Sequence, residues 1–216
     1  MIKFHPNKQM LAAFSAGELP LSLSIAMSAH IELCDECAAK AVKIEAQLSH
    51  DTWQDTVLEE ANFGDMLQAI MSNEPTPVDK IAIKPKTVTQ VGGNNYQLPT
   101  AFSNFNCLKW SGFGPVSRAR VISDEQHVRA SLLYIAAQGK IPEHHHKGYE
   151  LTLLLEGSFE DEMGTYQKGD FIWIDGELNH SPYTEKGCLC YAVQNAPLHF
   201  VRGMSKVLNP LGNLIY

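Results

Sequence analysis

The stretch Glu143-His144-His145-His146-Lys147-Gly148-Tyr149-Glu150, running on through Leu151-Thr152-Leu153-Leu154-Leu155-Glu156-Gly157, decides the fold of the C-terminal half. Written as H-x-H-x3-E-x6-G, it selects His144, His146, Glu150 and Gly157. In an extended strand, residues i and i+2 point to the same side. His144 and His146 are therefore expected to face one interior together, with His145 pointing away. Lys147-Gly148 permits a turn, after which Glu150 enters from the next strand. Further on, Gly169-Asp170-Phe171-Ile172-Trp173-Ile174-Asp175-Gly176 leads to His180. A strand closed by a glycine turn delivers that histidine to the same pocket. Three imidazoles and one carboxylate suit zinc or another divalent transition metal, and the ligand types alone do not choose among them. Three consecutive histidines also read as a surface tract; Glu150, Gly157, Gly169 and His180 set this run apart from one.

The surrounding chain agrees. From about residue 100 it reads as β, with runs at 128–137, 151–155, 171–174 and 188–193. These are strand-length, rich in branched or aromatic residues, and punctuated by Gly, Asp and Asn. Many short strands separated by turn signals predict a closed barrel or jelly roll, which removes exposed edges. Cys188 and Cys190 are two apart in one strand and share a face. Two readings stand for them: buried core residues, which free cysteines commonly are, or thiols with a role near the metal site.

Upstream the texture changes. Residues 7–71 read as helical: Met10, Leu11 and Phe14 share one face, as do Leu23, Met27 and His30. Thr52 is expected to cap a helix carrying Val57, Leu58, Ala61, Met66 and Ile70. The prolines of SNEPTPVDK (72–80) and the turn residues of VGGNN (91–95) predict a linker over 72–98, with a short strand at 80–84.

The helical part holds a second cluster, His30-Ile31-Glu32-Leu33-Cys34-Asp35-Glu36-Cys37, an H-x3-C-x2-C pattern. On one continuous helix these offsets gather the three side chains within about 60° of arc. Imidazole and thiolate ligands converging there suit tetrahedral zinc. His5 is the expected fourth ligand, because the first helix must fold back across the second. A closed His2Cys2 shell leaves no open position, so this zinc is expected to be structural. A metal-free C-x2-C at a helix end, or a redox dithiol, is the competing reading. The histidine four residues upstream favours zinc, as does a helical domain small enough to gain from a metal staple.

The 216-residue chain carries a net charge of −7, unevenly spread. Residues 1–71 hold four lysines and no arginine against ten acidic residues. Phosphate contacts need Lys and Arg, so direct binding to nucleic acid is not expected. Either the acidic faces are simply solvated or they meet a basic protein. No apolar run approaches the ~18–20 residues of a membrane span, and the start has no signal-peptide pattern. A cytoplasmic protein is expected, with its five cysteines kept as thiols or metal ligands.

Two resemblances to known families follow from these residues. His5-Pro6, LAAFSAGELP at 11–20 and HIELCDEC at 30–37 resemble the zinc-containing anti-sigma domain of regulators of ECF (extracytoplasmic function) sigma factors. That resemblance implies a four-helix domain which holds zinc and clamps the sigma factor. Residues 100–200 resemble both cupin motifs, although Asp175-Gly176 stands where the common form has proline, any residue, then glycine. In this order the two halves resemble the ChrR family of anti-sigma factors over nearly the whole chain. The implied architecture is a two-domain α + β protein: a helical zinc domain over 1–71, a linker over 72–98 and a cupin barrel over 99–216. The resemblance implies zinc on His5, His30, Cys34 and Cys37, and a second metal on His144, His146, Glu150 and His180. It implies an ECF sigma factor as partner and an oxidant or related small-molecule signal read by the cupin, with the linker letting the halves respond separately. The rival reading is a metal-dependent cupin enzyme of oxygenase or isomerase type with an N-terminal interaction module. A cupin that senses a ligand without turnover is a third.

Overall fold

A computed structural model of the chain describes residues 1–54, 63–73, 86–104, 107–121, 125–176 and 178–201. Four helices come first: α1 (Lys8–Ser15), α2 (Leu21–Leu33), α3 (Asp35–Gln54) and α4 (Gly64–Ser72). Asn7 caps α1 by accepting a hydrogen bond from the Met10 amide at 2.8 Å.

The break between α2 and α3 corrects one expectation. His30, Cys34 and Cys37 do not lie along a single helix. Cys34 takes an extended backbone (φ −129°, ψ 99°) and ends α2. Its carbonyl then accepts from the Ala38 amide at 2.9 Å and opens α3. Asp35 and Glu36 fill the first turn of α3, where the helix dipole favours acidic side chains. The local chemistry thus restarts a helix where the periodicity reads as continuous. Thr52 is a second correction: it lies inside α3 and bonds back to the Leu48 carbonyl at 2.7 Å instead of opening a helix. Met66 and Ile70 lie on α4. Val57, Leu58 and Ala61, and the strand expected at 80–84, lie outside the described residues.

Thirteen strands follow among the described residues. β1 (Val88–Val91) and β2 (Asn94–Gln97) form a hairpin, and a short 3-10 turn covers Thr100–Phe102. Then come β3 (Ser111–Phe113), β4 (Val116–Arg120), β5 (Arg129–Ile135), β6 (Gly139–Lys140) and β7 (His144–His146). The long β8 (Tyr149–Asp161) precedes β9 (Gly164–Gln167), β10 (Phe171–Asp175), β11 (Tyr183–Thr184), β12 (Cys188–Gln194) and β13 (Leu198–Phe200). Among the described residues the main sheet runs β3-β4-β5-β12-β8-β11-β6, with β9 and β10 also paired to β8. All its pairings are antiparallel. This is the curled sheet of a cupin fold, as expected. β8 can bend where its pairing with β12 slips by one residue, near Gly157. Gly157 has φ +79°, and a Cβ there would stand 2.2 Å from the Gly187 carbonyl oxygen; only glycine fits.

The helices and the sheet share a core. One apolar cluster runs from Leu23, Ala26 and Met27 of α2 through Val91, Leu98 and Phe102 to Leu151, Leu153 and Tyr191 of the sheet. Each large side chain so buried contributes about 1.5–3 kcal/mol. Tyr191 donates its hydroxyl to the Ser22 carbonyl at 3.2 Å, and Glu125 accepts from both the amide and the hydroxyl of Ser22. Glu32, near the end of α2, accepts from the Thr100 amide at 2.6 Å and pairs with Lys86 at 3.0 Å. The described part of the 72–98 segment is therefore bound into the junction. An apolar α2 face cannot remain exposed, and the sheet supplies its cover.

Candidate metal centres

The structure brings together all four residues expected of the N-terminal cluster. One ligand atom from each of His5, His30, Cys34 and Cys37 lies within 4.8 Å of the others. His5 Nδ1 stands 3.5 Å from Cys34 Sγ and 3.4 Å from Cys37 Sγ. Tetrahedral bonds of about 2.0 Å to nitrogen and 2.3 Å to sulfur give edges of about this length. His30 turns Nδ1 to the Gly169 carbonyl at 2.8 Å, which leaves Nε2 buried with no hydrogen-bond partner. A bound cation would satisfy this buried nitrogen beside two buried sulfurs. The protonation chemistry points the same way. Burial lowers the His30 pKa to about 4, keeping the ring neutral. Burial and the neighbouring Cys34 push Cys37 up to about 12. A metal that binds Cys37 would displace the proton the thiol otherwise keeps.

The barrel cluster is assembled from β7, β8 and the segment after β10. Strand alternation buries His144 and His146, while His145 turns away and meets His199 edge-on at 5.3 Å. Glu150 sits at the start of β8 opposite Ile174, and His180 is held against His144 by a pair of backbone bonds of 3.0 Å. Ligand atoms of all four again lie within 4.8 Å of one another. Glu150 Oε2 approaches His146 Nε2 at 2.9 Å and His180 Nε2 at 3.5 Å, yet neither nitrogen has the geometry of a hydrogen bond. These atoms converge on a common point rather than bonding to each other. Burial raises the Glu150 carboxyl, but His146, His180 and His144 outweigh it and hold the pKa below the usual range. Burial, then His180, lowers His144 to about 4.

A set of orienting partners was not read from the sequence. His144 Nδ1 lies 2.8 Å from the Pro142 carbonyl, and His180 Nδ1 lies 3.4 Å from Asp161 Oδ2. Both contacts leave Nε2 for a metal. Gln194 donates to Glu150 Oε1 at 2.8 Å. Asp161 also accepts from the Met163 and Gly164 amides, so its only signal in the sequence is that of an ordinary turn residue. Gln194 closes a strand 44 residues from its partner, and nothing local marks it.

Beside the barrel cluster lies a cavity of about 30 Å³, lined by Leu133, Ile135, Phe159, Ile172 and Ile174. It has room for about two water-sized molecules. Cys190 also lines it, while Cys188 and Cys190 are both buried in the core on β12. Away from both clusters, Phe63 at the start of α4 and Met66, Leu67, Ile70 and Met71 on it are 56–78% exposed. They recur at helical spacing and form one apolar face without cover among the described residues. No helix among these residues is long and apolar enough to cross a membrane.

Comparison with known proteins gives three findings. Residues 100–198 match the family model of the ChrR cupin-like domain. The anti-sigma-E factor ChrR of Cereibacter sphaeroides is 28% identical over 216 residues, 97% of either chain. The crystal structure of Rhodobacter sphaeroides SigE in complex with the anti-sigma ChrR superposes with a TM-score of 0.67 at 26% identity, covering 90% of this chain and 99% of that one.

Proposed function

We propose that this ChrR-like chain is an anti-sigma factor that sequesters an ECF-type sigma factor through its N-terminal helices and releases it when the cupin domain responds to an oxidative or related signal. The observation that carries the reading is the apolar face of α4, uncovered among the described residues, on a chain similar along its length to one crystallised with a sigma factor. A face of this size and spacing asks for a protein partner. The acidic balance of residues 1–71 favours a basic one over nucleic acid. The cytoplasm is the compartment where such a partner and reduced thiols coexist.

We divide the chain into a sigma-binding domain over 1–71, a connecting segment over 72–98 and a cupin domain over 99–216. His5 Nδ1, His30 Nε2, Cys34 and Cys37 would hold a structural zinc that ties the N-terminus to the α2–α3 break. His144, His146, Glu150 and His180 would hold zinc or another divalent transition metal, which supplies open coordination positions to a small reactant. The small, largely apolar cavity suits an oxidant of a few atoms better than a bulky organic substrate. That supports a sensor over an oxygenase or isomerase acting on a metabolite. Cys190 stands at the same cavity, which suits a thiol role in the response.

The physical action is masking. α4 and its neighbours would cover a surface of the sigma factor that core polymerase needs, and an event at the barrel would shift the balance toward release. Such a shift requires different free energies of binding in the two states. The test is affinity isolation of the full chain from lysate of its own organism, with identification of what co-purifies. A stoichiometric ECF sigma factor supports the reading. Recovery of the chain with no sigma factor, in cells where one is expressed, would count against it.

A further inference from the structure

The loop joining β9 to β10, 167–171, does more than close a hairpin. It holds both ends of the N-terminal cluster. Its Gly169 carbonyl faces His30 Nδ1 at 2.8 Å across a separation of 139 residues. The next residue, Asp170, is fully buried. Its Oδ1 accepts from the Lys3 amide at 2.7 Å and the Phe4 amide at 3.1 Å, and its Oδ2 accepts from the Gln167 amide at 2.8 Å. The Phe171 amide then donates to the Phe4 carbonyl at 2.9 Å. Phe4 packs on Tyr166 at 4.8 Å, and Ile2 covers Gly169. The chain ahead of His5 is thus laid along the barrel like a short extra strand, and His5 is the next residue out.

From this we propose that Asp170 and the Gly169 carbonyl are positioning groups for the N-terminal metal site, so that the barrel sets that site's affinity. The inference rests on the reading of His5, His30, Cys34 and Cys37 as metal ligands. A histidine ligand is oriented by the partner of its other nitrogen, and loss of such a partner typically weakens a site 10–100-fold. Gly169 fixes the His30 tautomer with Nε2 facing the cluster. Asp170 fixes the backbone that carries His5. The same loop leads into β10, whose Ile172 and Ile174 line the barrel cavity and whose Ile174 pairs opposite Glu150. One strand therefore touches both clusters, and movement at the barrel end has a direct path to the N-terminal ligands.

The test uses the full chain and Co²⁺ as probe, with Zn²⁺ competition. The barrel ligand set has no thiol, and with Cys190 at its cavity changed to Ser throughout, the thiolate-to-cobalt charge-transfer absorption reports the N-terminal site. Asp170→Ala should weaken N-terminal affinity by about 10–100-fold, with far-UV circular dichroism retained. Asp170→Asn keeps an oxygen for the Lys3 and Phe4 amides but sets its NH2 against the Gln167 amide, so it should recover only part of the loss. Unchanged affinity in Asp170→Ala would overturn the positioning role. Should Asp170→Ala fail to fold, Lys3→Pro takes its place, because it removes an amide that Asp170 accepts from while the exposed Lys3 side chain packs on nothing: a clear loss of affinity upholds the proposal and unchanged affinity refutes it. Absence of any charge-transfer band in the unmodified chain would overturn the metal reading itself, and this inference with it.

Discussion

Glu150 is the one carboxylate among three imidazoles, and its burial is tolerable because those rings surround it. Glu150→Ala should abolish the barrel metal and leave the N-terminal metal in place, as read by metal analysis of the purified chain. Two metals per chain in that variant would contradict the assignment. Asp161 is a milder case, since it acts only through His180 Nδ1. Asp161→Ala should weaken barrel affinity by about 10–100-fold without abolishing it, measured by chelator competition. These two variants mark what the sequence tells at this scale and what it does not. His, Cys and Glu at ligand spacing are recognisable because a metal demands those atoms at that separation. Asp161, Gln194 and the Gly169 carbonyl are chosen by contacts across 19, 44 and 139 residues, and no local pattern encodes them.

Among the elements, α4 carries the most exposed apolar face described. Changing Leu67 and Ile70 together to Glu should leave the fold and both metals intact, because neither side chain is buried. Binding to the sigma factor should weaken by about 30-fold or more, the effect of losing roughly 2 kcal/mol at an apolar anchor, in a titration against the purified partner. Equal affinity would move the interface elsewhere. β8 gives an opposite kind of test. Gly157→Ala places a side chain at φ +79° against the Gly187 carbonyl. The backbone alone should cost about 1–3 kcal/mol, seen as a lower urea midpoint. The strands of the sheet were readable because branched residues and turn glycines alternate along them. The restart of the helix at Cys34 was not, because periodicity is blind to a one-residue change of direction. Only the acidic pair Asp35-Glu36 hints at the second helix start.

Over the whole molecule, the order of a helical His/Cys cluster and a cupin His/Glu cluster was legible, and the contact between them was not. Apolar residues on α2 read simply as a core face; which surface covers them is decided by tertiary packing with Tyr191, Leu151 and Phe102. That shared core means the cupin half is built to influence the helices it covers. It also means a mutation at the barrel metal should disable release while sparing the grip on the sigma factor, giving constant repression. The measurement that bears most directly on this account is transcription from a sigma-dependent promoter with purified polymerase, the cognate ECF sigma factor and the full chain. The account predicts stoichiometric inhibition by the unmodified chain, relieved by an oxidant, and inhibition by Glu150→Ala that the oxidant does not relieve. Transcription undiminished by a several-fold molar excess of the full, metal-loaded chain would contradict it.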